Sequence, residues 1–295
     1  MNPLDPTVFR TIHHVDQATI DGMYNNYAPV FVLTTGRSGS RLVTEILNQC
    51  EGLAAFHEPE PTLQYFSNHA FHNQDKPELL RHTIHAARME LVLKNMIRDR
   101  IYVEANQCMT FFAPALSSLF PKSRFVHLVR HPGHFIRSAW RKGWHRNDSI
   151  WESGRLRNRD EEAWRSWNEV ERLAWLWEAT NGFIESFKVS ISEDRCFTLR
   201  LEDLISDPRI PEKLALFCGG AAPSLSEMET LVKSRINTFR VSPHEPPNMK
   251  KRRDFPEFPD WAPENLAALE RHAKRLAPLY GYHLQSGMPS GGSTS

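Results

Sequence analysis

The sequence PVFVLTTGRSGSRLVTEIL, residues Pro29 to Leu47, contains the strongest structural signal in the chain. It begins with the apolar, β-branched run Val30–Thr34, which is typical of a strand buried on both faces. A glycine-containing turn follows, and apolar residues then recur at helical spacing. A strand, a turn and a helix in this order direct free backbone N–H groups toward an anion, so the stretch predicts a phosphate-binding loop.

The residues of the turn suit this role. Gly36 and Gly39 let the backbone come close to a phosphate, and Ser38 and Ser40 add hydroxyl donors. Arg37 adds a permanent positive charge. An ordinary connection between a strand and a helix is the alternative, because glycine-containing turns also occur where no ligand binds.

Two common catalytic motifs do not match this loop. A nucleotide triphosphatase loop ends in Gly-Lys-Ser/Thr, whereas Arg41 follows Ser40 here. ATP hydrolysis is therefore disfavoured. A hydrolase nucleophile elbow requires Gly-x-Ser-x-Gly, and the last position of the corresponding pentapeptide is Ser40 instead.

The composition limits the classes of protein that fit the chain. With 36 basic and 35 acidic side chains in 295 residues, the net charge of +1 is a poor basis for general nucleic-acid binding. The four cysteines form no Cys-x-x-Cys pair, so we expect neither a zinc site nor disulfides, and reduced cysteines favour a cytoplasmic location. The segment Met1–Asp16 lacks the apolar core of a signal peptide, and no run approaches membrane-spanning length, which indicates a soluble protein.

The hydrophobic pattern predicts an α/β fold with three layers, in which helices flank a central parallel β-sheet of about five strands. We assign this sheet to a single domain at residues 29–284, which suits a chain of this length. Residues 1–28 are expected to form a polar N-terminal arm, and residues 285–295 a disordered Gly/Ser-rich tail. Residues 141–165 are rich in arginine and tryptophan and are expected to form a flap over the substrate, with an exposed irregular insertion as the alternative.

A second strand–loop–helix unit lies in the middle of the chain. The run Arg124–Val129 is strongly β-prone, Arg130 follows it, and Ser138 lies in the helical sequence beyond. Two such units, each with a cation in its turn, are less easily accidental than one.

The sequence HEPEP at residues 57–61 follows another short predicted strand, Gly52–Phe56. Its two prolines stop regular strand pairing. They leave one histidine and two carboxylates at the edge where parallel sheets bind ligands. A solvated loop is the alternative.

Together these motifs resemble those of the sulfotransferases that use 3′-phosphoadenosine 5′-phosphosulfate (PAPS), which have a P-loop-like fold. The turn Gly36–Ser40 is similar to their 5′-phosphosulfate loop. The segment Phe125–Pro132, with Ser138 further on, is similar to their 3′-phosphate motif.

Later parts of the chain extend the resemblance. The segment Trp175–Glu178, with Asn181, is similar to the long-helix motif of the family, and Leu199–Leu204 is similar to its late strand motif. The resemblance runs from about Pro29 to Tyr282, which is almost the whole chain.

The resemblance implies an enzyme that transfers a sulfuryl group from PAPS to the hydroxyl of a carbohydrate or small molecule, without a metal, and releases adenosine 3′,5′-bisphosphate. It implies that Arg130 and Ser138 bind the 3′-phosphate and that Arg37 neutralises the charge of the leaving phosphate. The implied PAPS-binding residues are Gly36, Arg37, Ser38, Gly39, Ser40, Arg41, Arg130 and Ser138, with Lys250, Lys251 and Arg252 where cytosolic relatives have a basic loop.

The resemblance also implies Glu58 as the general base, with Glu60 and His57 as alternatives, because branches of the family use a glutamate or a histidine. Since a residue before a proline favours extended conformations, we expect an extended backbone at Glu58 that fixes the direction of its carboxylate. Asn106 stands where many relatives have a lysine. Together with Glu60 and Trp144 it is assigned to the acceptor side of the site.

Two other functions remain compatible with the sequence. One is a nucleotide or small-molecule kinase with a degenerate phosphate loop, against which the missing Gly-Lys-Ser/Thr motif argues. The other is a non-catalytic protein that binds a nucleotide or an anionic glycan. The sequence specifies neither the acceptor nor the oligomeric state.

Overall fold

The computed structural model describes residues 15–146, 156–236 and 255–284. Five parallel strands form a sheet at its centre, which confirms the predicted α/β fold. The strands are β1 (Val30–Thr34), β2 (Leu53–His57), β3 (Ile101–Ala105), β4 (Arg124–Val129) and β5 (Cys196–Arg200). Their order across the sheet is β2-β3-β1-β4-β5, so that β1 lies in the middle.

The described ranges contain twelve α-helices, and the 3₁₀ helices Gln107–Phe112 and Trp144–Arg146 lie between some of them. The α-helices are α1 (Gln17–Asn25), α2 (Ser40–Leu47), α3 (Gln64–His72), α4 (Pro77–Met96), α5 (Ala113–Leu119), α6 (Pro132–Arg141), α7 (Glu161–Ser166), α8 (Glu169–Lys188), α9 (Leu201–Ser206), α10 (Ile210–Cys218), α11 (Leu225–Ile236) and α12 (Pro263–Ala273).

Helices cover both faces of the sheet, because successive strand residues point to opposite sides. Along β1, Val30 and Val32 belong to a buried cluster with residues of α2, α9, α10 and α11. Phe31 and Leu33 belong to a second cluster with residues of α4, α5, α6, α8 and α12. The predicted three layers are therefore confirmed.

Strands β1 and β4 lie side by side, and their register pairs Thr34 with Leu128. From β1 the chain crosses to β2 on one side, whereas from β4 it continues to β5 on the other. Where the connections of neighbouring strands diverge in this way, a crevice forms at the carboxyl ends of the strands, and ligands usually bind there. The loop after β1 and the loop beginning at Arg130 both border this crevice.

Residues 15–28, the described part of the predicted polar arm, contain α1. Asp16 caps this helix by accepting a hydrogen bond of 2.8 Å from the N–H of Thr19. Met23 is the fully buried residue of the helix. A helix that buries so little apolar surface shows no clear hydrophobic period in the sequence.

Several predicted segments lie wholly or partly outside the described residues. These are residues 1–14 of the arm, residues 147–155 of the flap, the basic loop with Lys250–Arg252, and the tail at residues 285–295. The described part of the flap contains the 3₁₀ helix Trp144–Arg146 and the beginning of α7. The division into an arm, a domain and a tail stays a prediction. Within the described ranges, the helices lack the combination of length and hydrophobicity that a membrane span requires.

Candidate active site

The turn after β1 contains several left-handed backbone conformations. Gly36, Arg37 and Gly39 have φ angles of 73°, 53° and 93°. Glycine adopts such angles at little cost, and a methyl group on Gly39 would lie 2.5 Å from Leu201 Cδ1. Gly39 is the N-cap of α2, and among the described residues no side-chain hydrogen bond caps this end. The N–H groups of the first helical turn can therefore serve an anion.

The hydroxyl groups of Ser38 and Ser40 in this turn contact other groups of the protein. Ser38 is completely buried. Its Oγ lies 2.9 Å from Thr35 Oγ1 and donates a hydrogen bond of 3.1 Å to Gly36 O. Ser40 Oγ lies 3.0 Å from His57 Nε2. Ser38 thus shapes the turn, whereas Ser40 connects it to the loop after β2.

Two arginines and a serine meet where β1 and β4 end. Arg130 Nη1 donates a hydrogen bond of 2.9 Å to Arg37 O, and Arg37 Nε donates one of 3.2 Å to Ser138 Oγ on α6. From α8, Trp177 Nε1 donates to Arg130 O over 3.0 Å. The two loops that the sequence predicts to bind anions are thus in direct contact at the β1–β4 crevice.

The carboxylate of Glu202 lies beside this site. It accepts the backbone N–H of His131 over 3.0 Å and the hydroxyl of Tyr282 over 2.7 Å. Burial alone would raise the pKa of Glu202, but the imidazole of His134 at 3.7 Å and hydrogen bonds from Tyr282 and the backbone of His131 lower it to about 2. Burial lowers the pKa of Arg130, and the negative charge of Glu202 opposes this change. Glu202 therefore fixes the turn after β4 and supports the charge of its arginine.

His131 caps α6 and ties it to the C-terminal part of the described chain. Its Nδ1 accepts the N–H of Gly133 over 3.1 Å, and its Nε2 lies 2.9 Å from His283 O. Burial lowers the pKa of His131 to about 4, although the hydrogen bond to His283 O opposes this. The imidazole is thus neutral at pH 7, with its proton on Nε2.

His57 brings the loop after β2 close to the phosphate loop through its contact with Ser40. Burial and the positive charges of Arg41 and Arg37 lower the pKa of His57 to about 4, against the opposing charge of Glu45. The imidazole is therefore neutral and weakly basic at pH 7.

Glu58 differs from its expected backbone conformation. Its φ angle is 48°, in the left-handed region, so the predicted extended conformation is wrong. The reason is that the Glu58 N–H donates to Ala105 O of β3 over 3.1 Å, and the chain has to turn in front of Pro59. Glu58 is half-buried and Glu60 is exposed.

Asn106 is completely buried, and its amide contacts other protein groups. Its Oδ1 accepts the N–H of Cys108 over 2.9 Å and so caps the 3₁₀ helix Gln107–Phe112. Its Nδ2 donates to Glu104 Oε1 over 3.0 Å and to Thr62 O over 3.3 Å. These contacts give Asn106 a structural role at the end of β3.

The 3₁₀ helix Gln107–Phe112 borders the phosphate loop, and no sequence pattern indicated this. Thr110 Oγ1 accepts the N–H of Thr34 and donates to its carbonyl oxygen, both over 3.0 Å. A methyl group on Gly36 would collide with Gln107 Oε1 and would lie 2.9 Å from Trp144 Cη2. The predicted acceptor residue Trp144 therefore lies directly against the phosphate loop.

Sequence patterns also did not reveal a buried ion pair at the end of β3. Arg88 of α4 and Glu104 of β3 are both completely buried, with Arg88 Nε 2.6 Å from Glu104 Oε2. A signal was present in α4, because Arg88 continues the buried row of Leu80, Ile84 and Val92. An arginine in such a row requires a buried partner.

A cavity of about 310 Å³ lined by polar residue types lies next to α3. Its lining includes His69, His72, Arg157 and Arg159, and Arg157 Nη2 pairs with Glu161 at 2.7 Å.

The described residues contain no group of three or more His, Cys, Asp or Glu side chains placed to hold a metal ion.

A parallel sheet between two layers of helices, with a glycine-containing loop after its central strand, defines a P-loop-like α/β protein. Comparison with protein families identifies the family to which this protein belongs. The profile of the Sulfotransferase family matches residues 29–219, so the chain belongs to this family. Members of the family move sulfuryl groups, and we assign this general reaction to the chain.

The chain is also similar to solved sulfotransferase structures. It is 22% identical to the sulfotransferase domain from the curacin biosynthetic pathway, over 69% of this chain and 77% of that chain, with a TM-score of 0.48. It is 20% identical to the sulfotransferase domain from the Synechococcus PCC 7002 olefin synthase, over 68% of this chain and 77% of that chain, with a TM-score of 0.46. It is 11% identical to a sulfotransferase from Mycobacterium avium, over 96% of this chain and 83% of that chain, with a TM-score of 0.49. A comparison with curated proteins found no match.

Proposed function

We propose that the protein transfers a sulfuryl group from PAPS to the hydroxyl of a carbohydrate or another small molecule. The observation that carries this proposal is the contact between the two anion-binding loops. Arg130 Nη1 lies 2.9 Å from Arg37 O, and Arg37 Nε lies 3.2 Å from Ser138 Oγ. Several cationic and hydroxyl donors at one crevice suit a ligand with several anionic groups.

The donors at the crevice fit the anionic groups of PAPS. The first turn of α2 suits the 5′-phosphosulfate, and Arg130 and Ser138 suit the 3′-phosphate. Each charge-assisted hydrogen bond would contribute about 1.5–3 kcal/mol. The segment Lys250–Arg252 lies outside the described residues and stays a predicted partner of the 3′-phosphate.

When bound, PAPS supplies a sulfuryl group attached to a phosphate leaving group. Arg37 lies in the loop next to that phosphate, where its charge neutralises the negative charge left on the phosphate oxygen. Donors that are already in place for a developing charge usually supply a large part of a catalytic effect. Arg37 therefore has a role in the transition state as well as in binding.

Glu58 takes the proton of the acceptor hydroxyl as the new oxygen–sulfur bond forms. The contact of His57 supports Glu58 over the histidine, because His57 Nε2 already lies 3.0 Å from Ser40 Oγ. Burial and nearby positive charge also lower the pKa of His57 to about 4, so the histidine has no advantage in basicity over an ordinary carboxylate.

The acceptor binds on the side of the phosphate loop where Trp144 and the loop after β2 lie. Glu58 and Glu60 lie on that loop, and their carboxylates can accept hydrogen bonds from hydroxyl groups, which supports a hydroxylated acceptor over an aliphatic one. Carbohydrates and small polar alcohols or phenols meet this description.

Thermal unfolding with added nucleotides tests the donor site. We expect adenosine 3′,5′-bisphosphate to stabilise the protein, by about 2.7 kcal/mol at a concentration of 100 times Kd. ATP with Mg²⁺ should give no comparable shift. Protection by ATP with Mg²⁺ and none by the bisphosphate would instead support the kinase.

Transfer of labelled sulfur from PAPS to phenol, methyl glucoside, glycerol and 1-octanol tests the reaction. We expect labelled product from a polar acceptor and little from 1-octanol. Binding of the bisphosphate without transfer to any of the four would favour the non-catalytic binding protein.

A further inference from the structure

The buried pair Arg88–Glu104 lies next to the loop that follows β2. Two hydrogen bonds join its side chains, from Arg88 Nε to Glu104 Oε2 over 2.6 Å and from Arg88 Nη2 to Glu104 Oε1 over 2.7 Å. Exchange of such a buried pair for apolar side chains of similar volume is often neutral or stabilising. Stability alone therefore does not explain why a charged pair occupies this position.

The other donors of Arg88 contact backbone carbonyls, and two of these belong to the loop. Arg88 Nη1 donates to Pro61 O over 2.9 Å and to Ala87 O over 3.0 Å, and Nη2 lies 3.5 Å from Pro59 O. A guanidinium has five N–H donors. Two of these donors contact the carboxylate of Glu104, two contact carbonyl oxygens of the loop, and one contacts the carbonyl oxygen of Ala87 in α4. Every donor therefore has a partner.

Glu104 extends the network to the other end of the loop. Its Oε2 accepts the Tyr102 hydroxyl over 2.7 Å, and its Oε1 accepts Asn106 Nδ2 over 3.0 Å. Asn106 Nδ2 also donates to Thr62 O over 3.3 Å. Together with the hydrogen bond from the Glu58 N–H to β3, these contacts hold residues 58–62 at four points.

We propose that the Arg88–Glu104 pair is a positioning device that fixes the direction in which the loop at residues 57–61 presents Glu58 to the acceptor. The proposal rests on the proposed function, because it takes Glu58 as the base. Pro59 and Pro61 have no N–H groups, so at these two positions the carbonyl oxygen is the only backbone group that can be hydrogen-bonded. Arg88 and Glu104 do not touch the substrate and act only through the loop.

The variant Arg88→Lys separates the effect of the positive charge at this position from the effect of the hydrogen bonds that Arg88 makes to the loop. A lysine keeps a positive charge beside Glu104, but one ammonium group cannot also reach the carbonyls of both prolines. Arg81→Lys is the matched control, because Arg81 lies on the same helix and pairs with Glu78 at 2.7 Å in an exposed position.

Hydrogen exchange on the full chain measures the loop without requiring turnover. We expect Arg88→Lys to accelerate exchange at the amides of Glu58, Glu60 and Thr62, the residues of 58–62 that carry an N–H. Exchange at residues 36–40 and the affinity for adenosine 3′,5′-bisphosphate should stay unchanged. Arg81→Lys should change neither region. Parent-like exchange at residues 58–62, or faster exchange throughout the chain, would overturn the proposal.

A double-mutant cycle on turnover tests whether Arg88 acts through Glu58, with PAPS and whichever of the four acceptors gives product. We expect Arg88→Lys to lower turnover by about tenfold to 10²-fold, with KM for PAPS changed by less than about twofold. In the Glu58→Gln background the same change should cost less than about twofold.

Two other outcomes of the cycle have different meanings. Equal losses in both backgrounds contradict positioning of Glu58, even if Glu58 is the base. Parent-like turnover of Glu58→Gln refutes the assignment of the base and with it the positioning of that base, whereas hydrogen exchange still shows whether Arg88 holds the loop.

Discussion

Arg37 contacts Ser138 across the crevice, with Arg37 Nε 3.2 Å from Ser138 Oγ. Arg37 belongs to the loop after β1 and Ser138 to the helix after β4, so this hydrogen bond and the one from Arg130 to Arg37 O join the two loops of the crevice. In the proposed PAPS site, Arg37 serves the 5′-phosphosulfate and Ser138 the 3′-phosphate. The two arginines of the crevice are therefore the first residues to test.

Arg130→Ala should weaken binding of adenosine 3′,5′-bisphosphate by at least about tenfold, which corresponds to about 1.4 kcal/mol. The reason is the loss of a charge-assisted donor at the 3′-phosphate. Isothermal calorimetry measures the change, and Arg209→Ala is a control because Arg209 is an exposed arginine paired with Asp207. Equal affinities of Arg130→Ala and the parent would remove Arg130 from the nucleotide site.

Arg37→Ala should lower turnover more than it raises KM for PAPS. Loss of a comparable donor to a developing charge costs roughly 10²–10³ in turnover. Steady-state kinetics with PAPS as the varied substrate separate the two effects. A rise in KM with unchanged turnover would limit Arg37 to binding.

Glu58→Gln should lower turnover by about 10²-fold or more, because it removes the basic group and keeps the shape of the side chain. Binding of adenosine 3′,5′-bisphosphate should stay at the parent level. Glu60→Gln and His57→Ala should have smaller effects. An inactive His57→Ala beside an active Glu58→Gln would identify the histidine as the base.

The stability of the protein should rise with pH between about 4 and 6.5. Burial lowers the pKa values of His57 and His131 from 6.5 to about 4. In this window the unfolded chain binds more protons than the folded chain, so stability is lost as the pH falls. Tm measured from pH 4 to 7 should show this slope.

His131→Asn should flatten that slope, because asparagine does not titrate but can still accept the N–H of Gly133 at the helix N-cap. Parallel Tm curves for the variant and the parent would exclude His131 as a cause.

Glu202 affects stability in a different pH range, since its pKa is lowered to about 2. Its contribution should be lost as the pH falls from its ordinary value of 4.5 toward 2.

The parts of the site that the sequence predicted are those with a local pattern. The two strand–loop–helix units place Arg37 and Arg130 at strand ends, and parallel pairing of β1 with β4 then brings them together. The pair Arg88–Glu104 joins a helix to a strand through a tertiary contact. The only sequence signal for this pair was the position of Arg88 in a row of apolar residues. The backbone of Glu58 followed its hydrogen bond to β3 rather than the preference set by Pro59, because tertiary contacts outweigh local propensity.

The C-terminal part of the described chain packs against the turn after β4, since the Tyr282 hydroxyl donates to Glu202 and the His283 carbonyl contacts His131. An affinity tag or fusion partner joined directly after Tyr282 would therefore press against the turn that carries Arg130. Expression vectors for this protein should keep residues 283 and 284 and place any added sequence beyond them. A deletion series from the C-terminus should lose nucleotide affinity abruptly once Tyr282 is removed.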